Sequence, residues 1–230
     1  ITSAQTAAFA TDDLQALTTA SVRALTTDAI AGMGTTQVAA LTSAQTIALS
    51  SAPQVASLDS AHVNALTTTN FSLLTTAQAA ALSSAQIDTM STANIAALSA
   101  AATRMLATAG IAILDSAQFN AMGTAQFAAL TTAQAAAITS AQTATMASDD
   151  LQAMTTADVK VLTTDALRGM TSAQLSNLTT AQVKALTTYQ IASLSTDDLN
   201  ALTSDHFAVF STAQAAALTS AQVDAMTTDD

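Results

Sequence analysis

The stretch LTTAQVKALTTYQIASL, residues Leu178 to Leu194, holds two turns of one pattern: a large apolar residue, two hydroxyl residues, a short polar or small run, and a second apolar residue. Working outward, a large apolar residue recurs at every eighth position. It runs from Phe9, Leu17, Leu25 and Met33 to Phe210, Leu218 and Met226, giving 28 anchors that are all Leu, Met, Ile or Phe. The register breaks once, by a single extra residue between Leu49 and Leu58, where the only proline, Pro53, stands. Periodicity of this kind decides the architecture before any local reading does.

With the anchor numbered 8, the consensus is T-[TS]-A-Q-[VILF]-x-A-[LM]. Position 2 is Ser or Thr in 27 of 28 octads, Ala100 being the exception, and position 4 is Gln in 15. A hydroxyl at position 1 with Gln at position 4 is a capping box, each side chain satisfying the other residue's backbone N–H. The pairs Asp12-Asp13, Asp149-Asp150 and Asp197-Asp198 fall at positions 3 and 4, where the helix dipole favours negative charge. The five basic residues, Arg23, Arg104, Lys160, Arg168 and Lys184, all fall at position 6, which also accepts Asp, Asn and Ala and so reads as solvent-facing.

The expectation is therefore one short helix of one to two turns per octad, in an all-α solenoid. Apolar spacings of 3 and 5 average 4.0 and would drift around one long helix. Positions 5 and 8 have opposite parity, which excludes a strand. Two apolar side chains and one cap fall short of the entropy of ordering eight residues, so each octad must stack on others. Small residues at positions 3 and 7 are expected to let helices approach closely. The number of octads per coil stays open. The near-fixed hydroxyl at position 2 reads either as an alternative cap or as a ladder between stacked units.

A longer repeat lies over the octads. Residues 1–33 match residues 138–170 at 24 of 33 positions, and FSLLTTAQAAAL from Phe71 matches FAVFSTAQAAAL from Phe207. The higher unit is thus about 17 octads. The chain is expected to be one continuous array over residues 1–230, with 1–137 as one long copy and 138–230 as part of a second. Starting and stopping in mid-pattern, it reads as a portion of something longer.

Composition narrows function. Half the residues are hydrophobic but only 3% are aromatic, so any core is thin and repeated. All 16 acidic residues are Asp, and the net charge of −11 argues against a nucleic-acid partner. No cysteine is present, and no apolar run is long enough to span a bilayer.

Arrays of L-T-T-A-Q-V-x-A, as at Leu178 to Leu194, resemble the octad regions of very large secreted bacterial exoproteins, often labelled adhesion or haem-utilisation proteins. That resemblance implies export, surface attachment and an extended shape.

The residues with chemistry to offer have bland readings. His62 and His206, the only histidines, stand at position 4 where Gln is usual, and read as Gln substitutes before they read as haem or metal ligands. Seven of the eight Met occupy position 8, and Met105 stands at position 7; all are read as core packing. The Asp pairs lie in no calcium-binding loop. Asn177-Leu178-Thr179 reads as a chance sequon. Hydroxyls spaced by the repeat have no local His-Asp partners, and no nucleotide, hydrolase or zinc-protease motif occurs. No catalytic, cofactor-binding or metal site is expected, and no cofactor. The leading reading is a non-catalytic structural module of an extracellular or cell-surface protein, a stalk or a self-associating filament. The alternative is a binding module for ice, carbohydrate or haem.

Overall fold

The computed structural model describes residues 1–226, which hold twenty-seven α-helices of four to six residues, one π-helical turn and no strand. Position 1 is the N-cap and position 2 the first helical residue. Thr179, for example, is extended at φ −74° and ψ 151° and caps the helix Thr180–Ala185. The chain leaves that helix through the anchor Leu186, at φ −57° and ψ 139°. Where the helix runs to position 7, as here, two extended residues at positions 8 and 1 thus form the corner. Many helices end on a left-handed glycine; here no described residue has positive φ. The corner needs only ordinary L residues, which fits a sequence with five glycines.

The chain forms two compact units, Ile1–Ala121 and Met122 onward, each a coil of octads. In the first, Ser3–Ala7 packs on Thr27–Ala31 and Thr11–Ala16 on Thr35–Ala39. In the second, Thr132–Ala136 packs on Thr156–Val161, and that helix on Thr180–Ala185. Packed neighbours are therefore three octads apart. Hydrogen bonds from position 4, described below, reach four octads back. One turn of the coil accordingly holds more than three octads and fewer than four, which settles the number that the repeat pattern leaves open.

Positions 4, 5 and 8 face inward. The largest fully buried side chains, among them Phe71, Phe119, Ile111 and Leu175, are at position 5 with the exception of the anchor Ile138, and the anchors from Leu25 to Leu202 are buried. Terminal octads show which way each position looks. Gln5, Asp13 and Ser21, with no earlier turn against them, are exposed at position 4, whereas Ala215 and Val223, with no later turn, are exposed at position 5. Position 4 meets the preceding turn and position 5 the following one.

Three expectations change. Met105 is 44% exposed, because position 7 looks outward; it is not core. The other described Met residues, at position 8, are buried except Met226, which is half-buried in the last octad. The position 3 side chain is exposed wherever its burial is described. Position 7 does serve close approach where glycine occupies it. A Cβ on Gly32 would meet Ser3 Cα at 2.7 Å, and one on Gly169 would meet the Ser140 carbonyl oxygen at 2.6 Å. Both sites pair with a threonine at position 5 three octads earlier, whose hydroxyl donates to a buried carbonyl: Thr6 to Ala29 and Thr143 to Ala166, each at 2.7 Å. The set recurs once in each long copy. Position 2 is not a cap, since position 1 fills that role, and among the residues whose burial is described it is exposed or half-exposed. Ser60 Oγ donates to Ala85 O at 3.4 Å, but Thr68 and Thr76 continue no such ladder.

The nine-residue unit around Pro53 keeps register by widening its helix. The Val55 N–H donates to Ser50 O, five residues back, at 3.2 Å, where the next octad closes four back from Val63 to Asp59. Proline is tolerated there because the first turn of a helix has no use for the missing N–H.

This inside–outside division gives a paired test. Leu130→Asp puts a carboxylate into a buried anchor site and should lower stability by several kcal/mol. Ala128→Lys, at exposed position 6, should change it by less than about 0.5 kcal/mol. Equal shifts in melting temperature would refute the division.

Candidate functional site: the position 4 ladder and the outer face

Gln182 shows what position 4 does. Its Oε1 accepts the Thr179 backbone N–H at 2.9 Å, and its own N–H donates to Thr179 Oγ1 at 3.2 Å, completing the capping box. The side chain then continues. Nε2 donates to Leu151 O at 2.8 Å and Met154 O at 2.9 Å, the position 5 and 8 carbonyls four octads earlier. One carboxamide therefore caps the N-terminus of its own helix and the C-terminal carbonyls of another, the two ends where a short helix lacks partners. Gln78, Gln174, Gln190, Gln214 and Gln222 repeat the arrangement on the equivalent atoms. Gln54, in the nine-residue unit, still reaches Val22 O and Leu25 O at 3.0 and 2.7 Å.

The ladder explains a compositional oddity. Glu completes a capping box as well as Gln does, yet the sequence has none. A buried Glu carboxylate would offer two acceptors to two carbonyl oxygens and supply no donor. The sequence carried this signal in the contrast between frequent Gln and absent Glu, and the capping box alone concealed it.

Both histidines reproduce the rung. His206 Nδ1 accepts the Thr203 N–H at 3.2 Å, and its Nε2 meets Leu178 O at 2.8 Å. His62 Nε2 meets Met33 O at 2.7 Å, while Nδ1 lies 3.4 Å from the Asp59 N and 3.0 Å from Asp59 Oδ1. Each ring is thus engaged at both nitrogens, as a Gln substitute would be. Asn70 makes a single rung, to Leu41 O at 3.1 Å.

Ionised aspartates at position 4 have no donor to offer the carbonyls of the earlier turn. Asp158, 1% exposed, turns its carboxylate to Thr155 Oγ1 at 2.5 Å. Asp150 is 8% exposed, and burial, reinforced by the neighbouring Asp149 charge, raises its pKa above the ordinary aspartate value. Asp12, Asp13 and Asp197 are exposed in helix first turns. Among the described residues no group of three or more His or Asp is placed to hold a metal ion. Asn177 is exposed, with its Nδ2 donating to Ala173 O.

Position 6 is solvent-facing yet not idle. Gln15, Arg23, Asn64, Gln152 and Asn200 each donate to a carbonyl 25 residues on, at position 7 of the following turn, over 2.6–3.5 Å. Free variation at this position hides the second ladder from sequence reading, because Ala breaks it without exposing a core.

Short capped helices wound three to four octads per turn, joined by carboxamide rungs, define an all-α repeat solenoid. The ALTTAQ repeat model matches eight times, at residues 6–43, 22–51, 104–132, 111–148, 143–180, 166–196, 178–209 and 191–228. These matches cover well over half of the sequence, and the chain belongs to the ALTTAQ repeat family. No curated protein and no solved structure matches it.

Two substitutions read the site directly. Gln182→Ala should cost about 1–3 kcal/mol, because it leaves buried carbonyls without a donor. Gln182→Glu should cost more at neutral pH and recover part of that loss in mildly acidic solution, where a protonated carboxyl regains a donor. Denaturant melts across pH distinguish them, and a Glu variant as stable as the parent at pH 7 would rule out the bridging role.

Asp150 gives a pH test of opposite sense. Its folded pKa is raised, so the native state holds the proton more tightly, and stability falls as pH rises from the unfolded value near 3.8 through the folded one. Asp150→Asn should therefore be stabilising near neutral pH, with the gain vanishing as pH drops below that window. A pH-independent difference would show that charge burial is not the cause.

Proposed function

We propose that this chain is a non-catalytic structural module of an extracellular bacterial protein, a stalk or self-assembling filament used in surface attachment. The observation that supports this most is the fate of the polar side chains: inward-facing Gln and His are occupied by backbone groups between turns. What remains outside is a repeated surface of Thr, Ser, Ala and Asp at positions 1 to 3. A chain whose functional groups hold its own turns together is suited to supplying length and a repeated face. No described helix is long and apolar enough to cross a membrane, and family membership supports a repeat module in a repetitive protein.

Identical octads present identical faces, which favours lateral or end-to-end self-association. The full or partial exposure of position 2 at the octads whose burial is described favours one further reading, in which the repeated hydroxyl face binds a partner surface.

Sedimentation and electron microscopy across a concentration series test the proposal. Rods or filaments that grow with concentration, and persist in the His62→Ala/His206→Ala double variant, are expected for the filament form. A monodisperse monomer at every concentration removes it. For the stalk form, cells displaying the parent protein should attach less when the array is deleted and recover when an unrelated rigid spacer replaces it. Undiminished attachment without the array would defeat the proposal.

A further inference from the structure

One part of the outer face departs from the repeated pattern. Lys160 and Lys184 stand at position 6 of octads three apart, on the helices Thr156–Val161 and Thr180–Ala185 that pack on each other. No other pair of position 6 residues at this spacing carries two cations. Both lysines line one open hollow of about 580 Å³. Neither makes the carbonyl rung that Gln15, Asn64, Gln152 and Asn200 make from the same position, and neither has an ion-pair partner among the described residues.

The rest of the lining is chemically selective. Hydroxyls come from Thr156 and Thr188, with those of Thr187 and Ser211 engaged in capping their own helices, and apolar surface comes from Leu186. No carboxylate lines the hollow, although acidic residues outnumber basic ones 16 to 5 along the chain. Two ammonium groups held on adjacent turns with no counter-charge call for an anion. The volume falls in the range of roughly 300–1,000 Å³ that holds whole small molecules, larger than an isolated oxyanion requires. Hydroxyls around it match a ligand that carries hydroxyls of its own. The next residue after Thr188 is Tyr189, the only tyrosine, which is 74% exposed.

We propose that the hollow between Lys160 and Lys184 binds an acidic sugar, its carboxylate between the two ammonium groups and its hydroxyls on the Thr156 and Thr188 side chains. The chain's net charge of −11 opposes a polyanion at long range. Physiological salt screens that repulsion beyond about 8 Å and leaves the short contacts in place. This inference is independent of the scaffold reading, which assembly and attachment report separately.

Calorimetric titration of the whole chain with a galacturonate trisaccharide, maltotriose and inorganic phosphate tests it. The uronate should bind at least tenfold more tightly than maltotriose or phosphate. Lys160→Met and Lys184→Met should each weaken uronate binding fivefold or more, and Arg168→Met should leave it unchanged. Both lysines are exposed, and melting curves confirm that the variants fold. No heat with the uronate at millimolar concentration would overturn the proposal, as would binding that both Lys variants retain. Maltotriose binding as tightly would remove the need for the carboxylate, and phosphate binding as tightly would reduce the hollow to a general anion spot; either result overturns it.

Discussion

A helix of five or six residues has almost no interior: most of its backbone N–H and C=O groups are terminal and lack partners within the helix. Any fold built from such pieces must satisfy those groups from outside. In this protein the side chain at position 4 does so at both ends, accepting from the N-cap of its own octad and donating to carbonyls four octads earlier. Gln182 accomplishes this with one carboxamide and three bonds of 2.8–2.9 Å. The geometry of the coil follows. Because the rung reaches four octads back while packing joins octads three apart, the turn is fixed between these values without large side chains to set the spacing.

That arrangement accounts for the unusual chemistry of the sequence. The core needs one modest apolar residue at position 5 and one at position 8, so aromatic residues are only 3% of the chain. Corners made from two extended residues need no left-handed glycine. Two octads with Ala at position 4 carry a contact of another kind. At Ala29 and Ala166 the helices approach closely across Gly32 and Gly169, and a threonine hydroxyl takes up the buried carbonyl. Paired substitutions of this type travel together in both long copies, as expected when contacts are mutually dependent.

Local structure was legible in the sequence because its causes are local. Thr179 and Gln182 lie three residues apart, and their capping box can be read without knowing any neighbour. The apolar period distinguished helix from strand for the same reason. Contacts between turns were not legible, since they join residues 23 to 32 apart whose relation depends on the coil. Gln182 gives no local sign that its Nε2 seeks Leu151 O. Met105 looked like an anchor because it stands beside one, yet a single step along a helix turns the side chain by about 100° and carries it outside. The position 2 hydroxyls are the reverse case, a strong pattern for which no general hydrogen-bond role emerges. The histidines were legible in kind, as Gln substitutes, although the atoms they reach were not.

The rung also has a direction. At position 4 the side-chain donor lies later in the chain than the carbonyls it meets, as Gln54 does for Val22 and Leu25, and Gln214 for Val183 and Leu186. A chain emerging N-terminus first therefore always presents a new octad to acceptors that already exist. No position 4 rung waits for residues still to be made; the position 6 bonds, such as Gln15 to Ala40 O, close one turn later. Synthesis can then build the coil in the order in which it is translated, at the 5–20 residues per second typical of ribosomes, with only the newest turn incomplete. For an array that grows by copying blocks of octads, the folding problem at the growing end stays the same size however long the chain becomes.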